Sequence, residues 1–172
     1  MKRICAGLIA GAVLSFAAVT THAQEFKWDL PNEYQASSPS GQSDKAFKAA
    51  IERLSGGRIA VTLHPSGALG YKSKDHFDAV ADGAVPLADT YTGVFSGMNP
   101  IFTLSNMPFL APGFDATWEL VQVIKPRVSK VFEKEGQVLL WTAPWTPTGL
   151  WSKKPIANKA AIQNLKMRVY DP

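Results

Sequence analysis

Segments of strand period and segments of helix period take turns along this chain, and that order admits few folds. Phe26-Lys27-Trp28-Asp29-Leu30 alternates apolar with charged residues and stops at Pro31, which predicts a first strand followed by a Ser/Pro/Gly loop through Gly41. From Ser43 to Leu54 the apolar residues Phe47, Ala50, Ile51 and Leu54 recur at three and four, and Gly56-Gly57 supplies a left-handed stop, so a helix is expected. Arg58 to His64 alternates again as a second strand, with Ile59, Val61 and Leu63 on one face, before the turn Pro65-Ser66-Gly67. Ser73 caps a second helix carrying Phe77, Val80 and Ala81 on one side and closed by Gly83, and the apolar run Val85 to Thr90 predicts a third strand. Helices serving as crossovers between short apolar strands imply a largely parallel sheet covered on both faces, so the expected class is α/β.

Further on, a short helix is expected over Asn99 to Met107, ended by Pro108, and a longer one capped by Asp115 and broken or kinked at Pro126. Val128, Val131 and Phe132 continue its apolar stripe to Gly136, and Val138 to Ala143 reads as a strand. The aromatic turn Pro144-Trp145-Thr146-Pro147-Thr148-Gly149 then marks a boundary, followed by a short helix at Asn158 to Gln163 and a strand at Lys166 to Tyr170.

The start of the chain speaks to compartment. Met1-Lys2-Arg3 precedes an Ala-rich apolar run from Ile4 to Val19, and small residues at Thr21 and Ala23 suit cleavage after Ala23, as in a secretory signal peptide. Cys5, the only cysteine, lies inside it, so the mature chain is expected to hold no disulfide, thiolate zinc site or Cys nucleophile and to rely on burial. The other apolar runs are too short to span a bilayer, and a soluble product is expected. With 46% hydrophobic and 19% charged residues the composition is that of a packed domain, not a disordered one. Losing Lys2 and Arg3 leaves 16 basic side chains against 14 acidic, a net charge of +2 that is too small and too dispersed for a nucleic-acid partner.

Catalytic constellations are sparse. There is no Gly-x-Ser-x-Gly elbow, and once His22 leaves with the signal only His64 and His76 remain as imidazole bases. Asp75-His76-Asp78 has metal-ligand chemistry at a spacing that converges poorly on a helix, so a solvated helix face is the simpler reading and no metal is expected. Gly67 and Gly70 lack the third glycine of a dinucleotide fingerprint and the Lys-Ser/Thr of a P-loop; they are read as turn glycines, and no cofactor is expected. Arg168 is different in kind. In Leu165-Lys166-Met167-Arg168-Val169-Tyr170 it points opposite to Met167 and Val169, where its fork either holds a ligand carboxylate by two charge-assisted hydrogen bonds or serves as a structural or exposed arginine.

Five short motifs, in order, bear on that choice: Gly56-Gly57-Arg58-Ile59, Pro65-Ser66-Gly67-Ala68-Leu69-Gly70, Met107-Pro108-Phe109-Leu110, Lys154-Pro155-Ile156 and Asn164-Leu165-Lys166-Met167-Arg168-Val169. In this order, behind a signal peptide, the chain resembles the substrate-binding proteins of tripartite ATP-independent periplasmic (TRAP) transporters, the DctP-like family. The resemblance implies a type II periplasmic-binding-protein-like α/β fold of two lobes joined by hinge strands. It also implies no catalysis, capture of an organic acid by its carboxylate, and delivery to a membrane permease driven by an ion gradient. Arg168 falls on the arginine that pairs with the substrate carboxylate, and Tyr91 on a position facing the ligand from the first lobe. Trp145 is then expected to stack on the ligand or to pack near the hinge. Thr148 stands where some relatives have a second arginine; its single neutral hydrogen bond argues against recognition of the sialic-acid type. Trp28, Trp118, Trp141 and Trp151 are assigned to the core.

On this reading residues 1–23 are the signal peptide, 24–143 the first lobe, and 144–172 the hinge crossing and the opening of the second lobe. Family members are longer, so the chain is read as truncated, with unpaired strand edges and poor ligand binding on its own. Two other functions fit the residues: a secreted hydrolase using His64 or His76, and a sensor of the same fold that presents its ligand to a receptor.

Overall fold

The computed structural model describes residues 24–107, 109–145 and 149–168. The signal peptide with its cleavage point, Pro108, the Thr146-Pro147-Thr148 turn and Val169 to Pro172 lie outside the described residues. Strands β1 (Phe26–Pro31) and β2 (Ile59–His64) pair in parallel, from Phe26 opposite Ile59 to Pro31 opposite His64. Helix α1 (Pro39–Leu54) makes the crossover between them. The expected α/β unit is therefore present.

Helix α1 begins four residues earlier than its apolar stripe suggests. Ser38 accepts a hydrogen bond from the Gly41 amide at 3.1 Å and Pro39 occupies the first turn, where its missing N–H costs nothing. At the other end Gly57, at φ 81°, sends its amide to the Glu52 carbonyl at 2.9 Å. Two α1 side chains also reach the outer edge of β2. Lys48 Nζ donates to the Val61 carbonyl and to Glu52, while the Val61 amide donates to Glu52 Oε1 at 2.9 Å. Both ladder groups of Val61 are thereby satisfied without another strand.

Val85 to Thr90 does not form the expected third strand. It contributes one parallel bridge, Asn32 with Asp89, through the Asp89 amide and the Pro31 carbonyl at 3.1 Å. The reason is local: the Val85 amide turns back to Ala79 at 3.2 Å, and Pro86 has no amide to give. The strand expected at Val138 to Ala143 is also not assigned, since these residues make no backbone hydrogen bonds among the described residues. The same holds for the described part of the last expected strand, residues 166–168.

The Ser73 segment is a 3-10 turn, Ser73–Asp75, leading into α2 (His76–Ala81), whose buried residues are His76, Phe77 and Ala79. The helices expected near 99–107 and 158–163 are 3-10 turns, Pro100–Asn106 and Lys159–Ile162. Helix α3 (Gly113–Lys134) runs unbroken past Pro126. Its buried stripe is Val121, Ile124, Val128 and Phe132, whereas Pro126 and Gln122 are exposed, so the carbonyl left without a partner by the proline lies on the solvent side.

Apolar side chains gather in two clusters. One joins Phe77, Phe95, Phe102, Ile124, Val128 and Phe132. The other surrounds Leu30, Val61 and Leu87, with Trp28, Phe47, Ile51 and Trp141 packed against it, and Trp141 stacks on Phe47 with ring centroids 4.4 Å apart. Trp28 and Trp141 thus adjoin the core as expected, but Trp118 and Trp151 do not. Trp118 is 44% exposed because the buried stripe of α3 begins only at Val121; Trp151 is 91% exposed in a stretch, 149–168, that buries no side chain.

Candidate functional site

Residues of both clusters line a cavity of about 1200 Å³. Its polar wall is built where β1 ends. Asn32, only 1% exposed, donates from Nδ2 to Asp44 Oδ2 at 2.6 Å, Ser40 Oγ at 3.2 Å and Asp89 Oδ2 at 3.3 Å. Its Oδ1 accepts from the Tyr34 amide at 2.8 Å. Asp44 comes from α1 and Asp89 from the bridge to β1, so one amide side chain ties three segments together. Of these carboxyls, Asp89 lines the cavity.

The two carboxyls cannot both ionise cheaply. Burial, then the neighbouring Asp44 charge and the hydrogen bond from it, push Asp89 up to about 8; burial also raises Asp44. Asp89 therefore keeps its proton near neutral pH, and the pair carries less than two negative charges.

His76 stands on the same wall. It is 1% exposed at the edge of the cavity, with both ring nitrogens closed to solvent, no side chain partnering either, and the Asp89 backbone beside the ring. Burial pulls its pKa below the usual value, against the opposing pull of Glu33, Asp75 and the nearby Asp89 backbone, so the ring is neutral at pH 7. The solvated face expected for Asp75-His76-Asp78 holds for Asp78 but not for His76. Glu33 takes the amide of Ser73 at 2.8 Å; burial would raise it, yet Ser73, Lys72 and His76 together hold it below its ordinary value. Among the described residues no group of three or more His, Cys, Asp or Glu side chains is placed to hold a metal ion. His64 is elsewhere, on the sheet, 2.7 Å from Asp29 Oδ1, and does not line the cavity.

Of the residues singled out in the sequence, Tyr91 and Trp145 line this cavity, and the Trp145 ring leans on Tyr34, 4.8 Å between centroids. Tyr91 precedes the 3-10 turn Thr92–Phe95, and its ring lies across Gly93: a Cβ there would sit 2.5 Å from the Tyr91 hydroxyl and would also strike Asn106. Gly93→Ala is accordingly expected to cost about 1–3 kcal/mol by overpacking. A urea midpoint that falls in Gly93→Ala and partly recovers when Asn106→Ala is added would support this; an unchanged midpoint would refute it. Arg168 is exposed and does not line the cavity, and Thr148 lies outside the described residues. Asn32, Asp44, Asp89 and His76 are the polar groups that the sequence reading did not place here.

Residues 32–172 match the family described as bacterial extracellular solute-binding protein, family 7, or DctP. The chain belongs to that family. Among solved structures it is similar to DctP6 of Bordetella pertussis, an extracytoplasmic solute receptor binding pyroglutamic acid, with 34% identity and a TM-score of 0.64 over 67% of this chain and 38% of that one. It is similar to a TRAP solute-binding protein from a marine metagenome, specific for pyroglutamate, with 28% identity and a TM-score of 0.75 over 80% of this chain and 45% of the other. DctP7 of Bordetella pertussis, at 24% identity and a TM-score of 0.74 over 78% and 44%, shares the fold. The chain thus spans less than half the length of each of these structures. No curated protein matches the sequence. The family suggested by five short motifs is the one found, and with it the α/β fold of the TRAP binding proteins.

Proposed function

We propose that this chain is part of the extracytoplasmic binding component of a TRAP-type transporter, which captures a small organic acid and hands it to a membrane permease without chemical change. The observation that carries the reading is the cavity, where Tyr91 and Trp145 offer aromatic surface and Lys125 of α3 stands as a cation at the wall. Arg168 adds a second positive charge, with the fork that holds a carboxylate. In this reading residues 24–143 form the first lobe, the second begins after the Pro144-Trp145 turn, and Thr148 adds a neutral donor near the hinge. Export through the N-terminal signal places the protein in the periplasm.

Small-molecule pockets commonly enclose about 300–1,000 Å³, so this hollow is roomy for a small acid and the ligand must be gripped from a second side. A ligand that touches both lobes favours the closed state; one that touches a single lobe equally in both states shifts nothing. Arg168, solvent-exposed and clear of the cavity, suits a group brought in by hinge closure. Pyroglutamate, bound by DctP6 and by the metagenome protein, is the first acid to test.

Removing a guanidinium that holds a desolvated carboxylate costs about 2–5 kcal/mol, so Arg168→Ala in the full chain is expected to weaken pyroglutamate binding at least thirty-fold by calorimetry. The acid should be recovered unaltered after incubation. Equal affinity in wild type and Arg168→Ala, or turnover of the acid that His64→Ala abolishes, would overturn the proposal.

A further inference from the structure

We propose that Lys125 of α3 is a ligand-contacting cation of the first lobe, and that together with Arg168 it makes the preferred ligand an acid bearing two separate anionic groups. This rests on the organic-acid reading given above and deepens it by naming the charge class of the acid.

Lys125 sits in the middle of the α3 face that walls the cavity. Val121, four residues before it, and Val128, three after it, are buried and line the cavity, and Thr117, Ile124 and Phe132 line it too. Residues at these spacings share one side of a helix, so the Lys125 stem leaves α3 toward the hollow that it lines. The side chain is half-buried, and among the described residues it enters no ion pair. An ammonium set within an apolar stripe is stabilised by an anion that comes to meet it.

Among the described residues, the rest of the lining supplies no such anion. Asp89 is the carboxyl at the cavity and keeps its proton near neutral pH, while His76, at the edge, is neutral. Lys125 is therefore the fixed charge of this wall, and a concave, largely apolar surface concentrates its field on an incoming anion. The carboxylate gripped by Arg168 is a poor partner for Lys125 as well, because a guanidinium fork engages both carboxylate oxygens at once. What Lys125 has left to take is a second anionic group. Once the lobes close and water leaves, a monoacid strands the ammonium without a counter-charge, whereas a diacid matches both cations.

Glutarate and its monoamide, glutaramate, have the same length and shape and differ in the second charge alone. Calorimetry on the full chain with these two acids and L-pyroglutamate tests the assignment. Wild type is expected to bind glutarate at least ten-fold more tightly than glutaramate. Lys125→Met, which keeps an unbranched stem and the helix propensity, is expected to weaken glutarate at least ten-fold and glutaramate less than three-fold, and Lys125→Arg, which keeps the charge, to retain the preference. Equal losses for both acids would mean that Lys125 shares one carboxylate with Arg168, and no loss would mean that it touches no ligand; either result overturns the proposal. Pyroglutamate held tightly by wild type, with glutarate bound no better than glutaramate, would remove this inference alone. Wild type that binds none of the three acids would remove the organic-acid reading and this inference together.

Discussion

Asp89→Asn is expected to abolish a fall in stability that the wild type shows as the pH rises from about 6.5 to about 8. Unfolded, this carboxyl titrates near 3.8; folded, burial and the adjacent Asp44 carry it up to about 8. Between those values the native state holds a proton that the unfolded state has released, so each pH unit removes about 1.4 kcal/mol of stability until the folded group itself ionises. Asp44, raised as well, acts in the same direction. His76 acts the other way: burial lowers it from 6.5, so its contribution is present above that value and is lost as the pH falls through the folded pKa. Glu33 and Glu52, both lowered from 4.5, likewise lose their contributions only in more acidic solution. The window from 6.5 to 8 therefore isolates the carboxyl pair. An asparagine keeps the size of the side chain and a donor for Asp44 while having nothing to titrate. Urea melts at pH 6.5, 7.2 and 8.0 measure the effect; a flat wild-type profile, or an unchanged slope in the variant, would show that Asp89 does not keep its proton in the folded state.

Phe132→Ala should cost about 3–5 kcal/mol, the range for emptying a buried aromatic site. Phe132 is 7% exposed and meets three other rings, Phe77, Phe95 and Phe102, at centroid distances of 5.8, 6.3 and 5.7 Å. It is the point at which α3 is fastened to α2 and to the two 3-10 turns between them. Phe132→Leu keeps most of the volume and should cost less than about 1.5 kcal/mol. A loss below about 1 kcal/mol for the alanine variant, by chemical denaturation, would mean that the ring cluster does not hold α3 in place.

Much of the first βαβ unit was legible because its apolar periods are regular and its helix stop is a glycine pair. The start of α1 was hidden by composition: Ser38-Pro39-Ser40-Gly41 looks like loop until Ser38 and Pro39 are read as a cap and a first turn. The third strand failed for a reason present in the sequence, a proline inside a short apolar run, whose weight depended on which neighbour its edge would meet. Pro126, read as a break or a kink, does not break the helix, since its missing hydrogen bond falls on a solvent face.

The polar wall was legible in part. Asp44 lies on the helical face of Phe47 and Ile51, three and seven residues before them, and an acid on an apolar stripe is a buried charge in need of a partner. Asp89, inside the run from Val85 to Thr90, carried the same signal. That the two would meet through Asn32 could not be read from spacing, because 12 residues separate Asn32 from Asp44 and 57 separate it from Asp89. Tyr91 and Trp145, singled out through family resemblance, line the cavity. His76 was recognised as a possible base but assigned to the wrong environment, since a histidine beside two aspartates looks solvated until the fold turns its ring inward.

The clip formed by Lys48 and Glu52 on Val61 gives the sheet a finished border and an unfinished one. A strand approaching the finished border, for instance from a second copy, meets hydrogen-bonding groups already occupied at Val61, so edge-to-edge association is discouraged there.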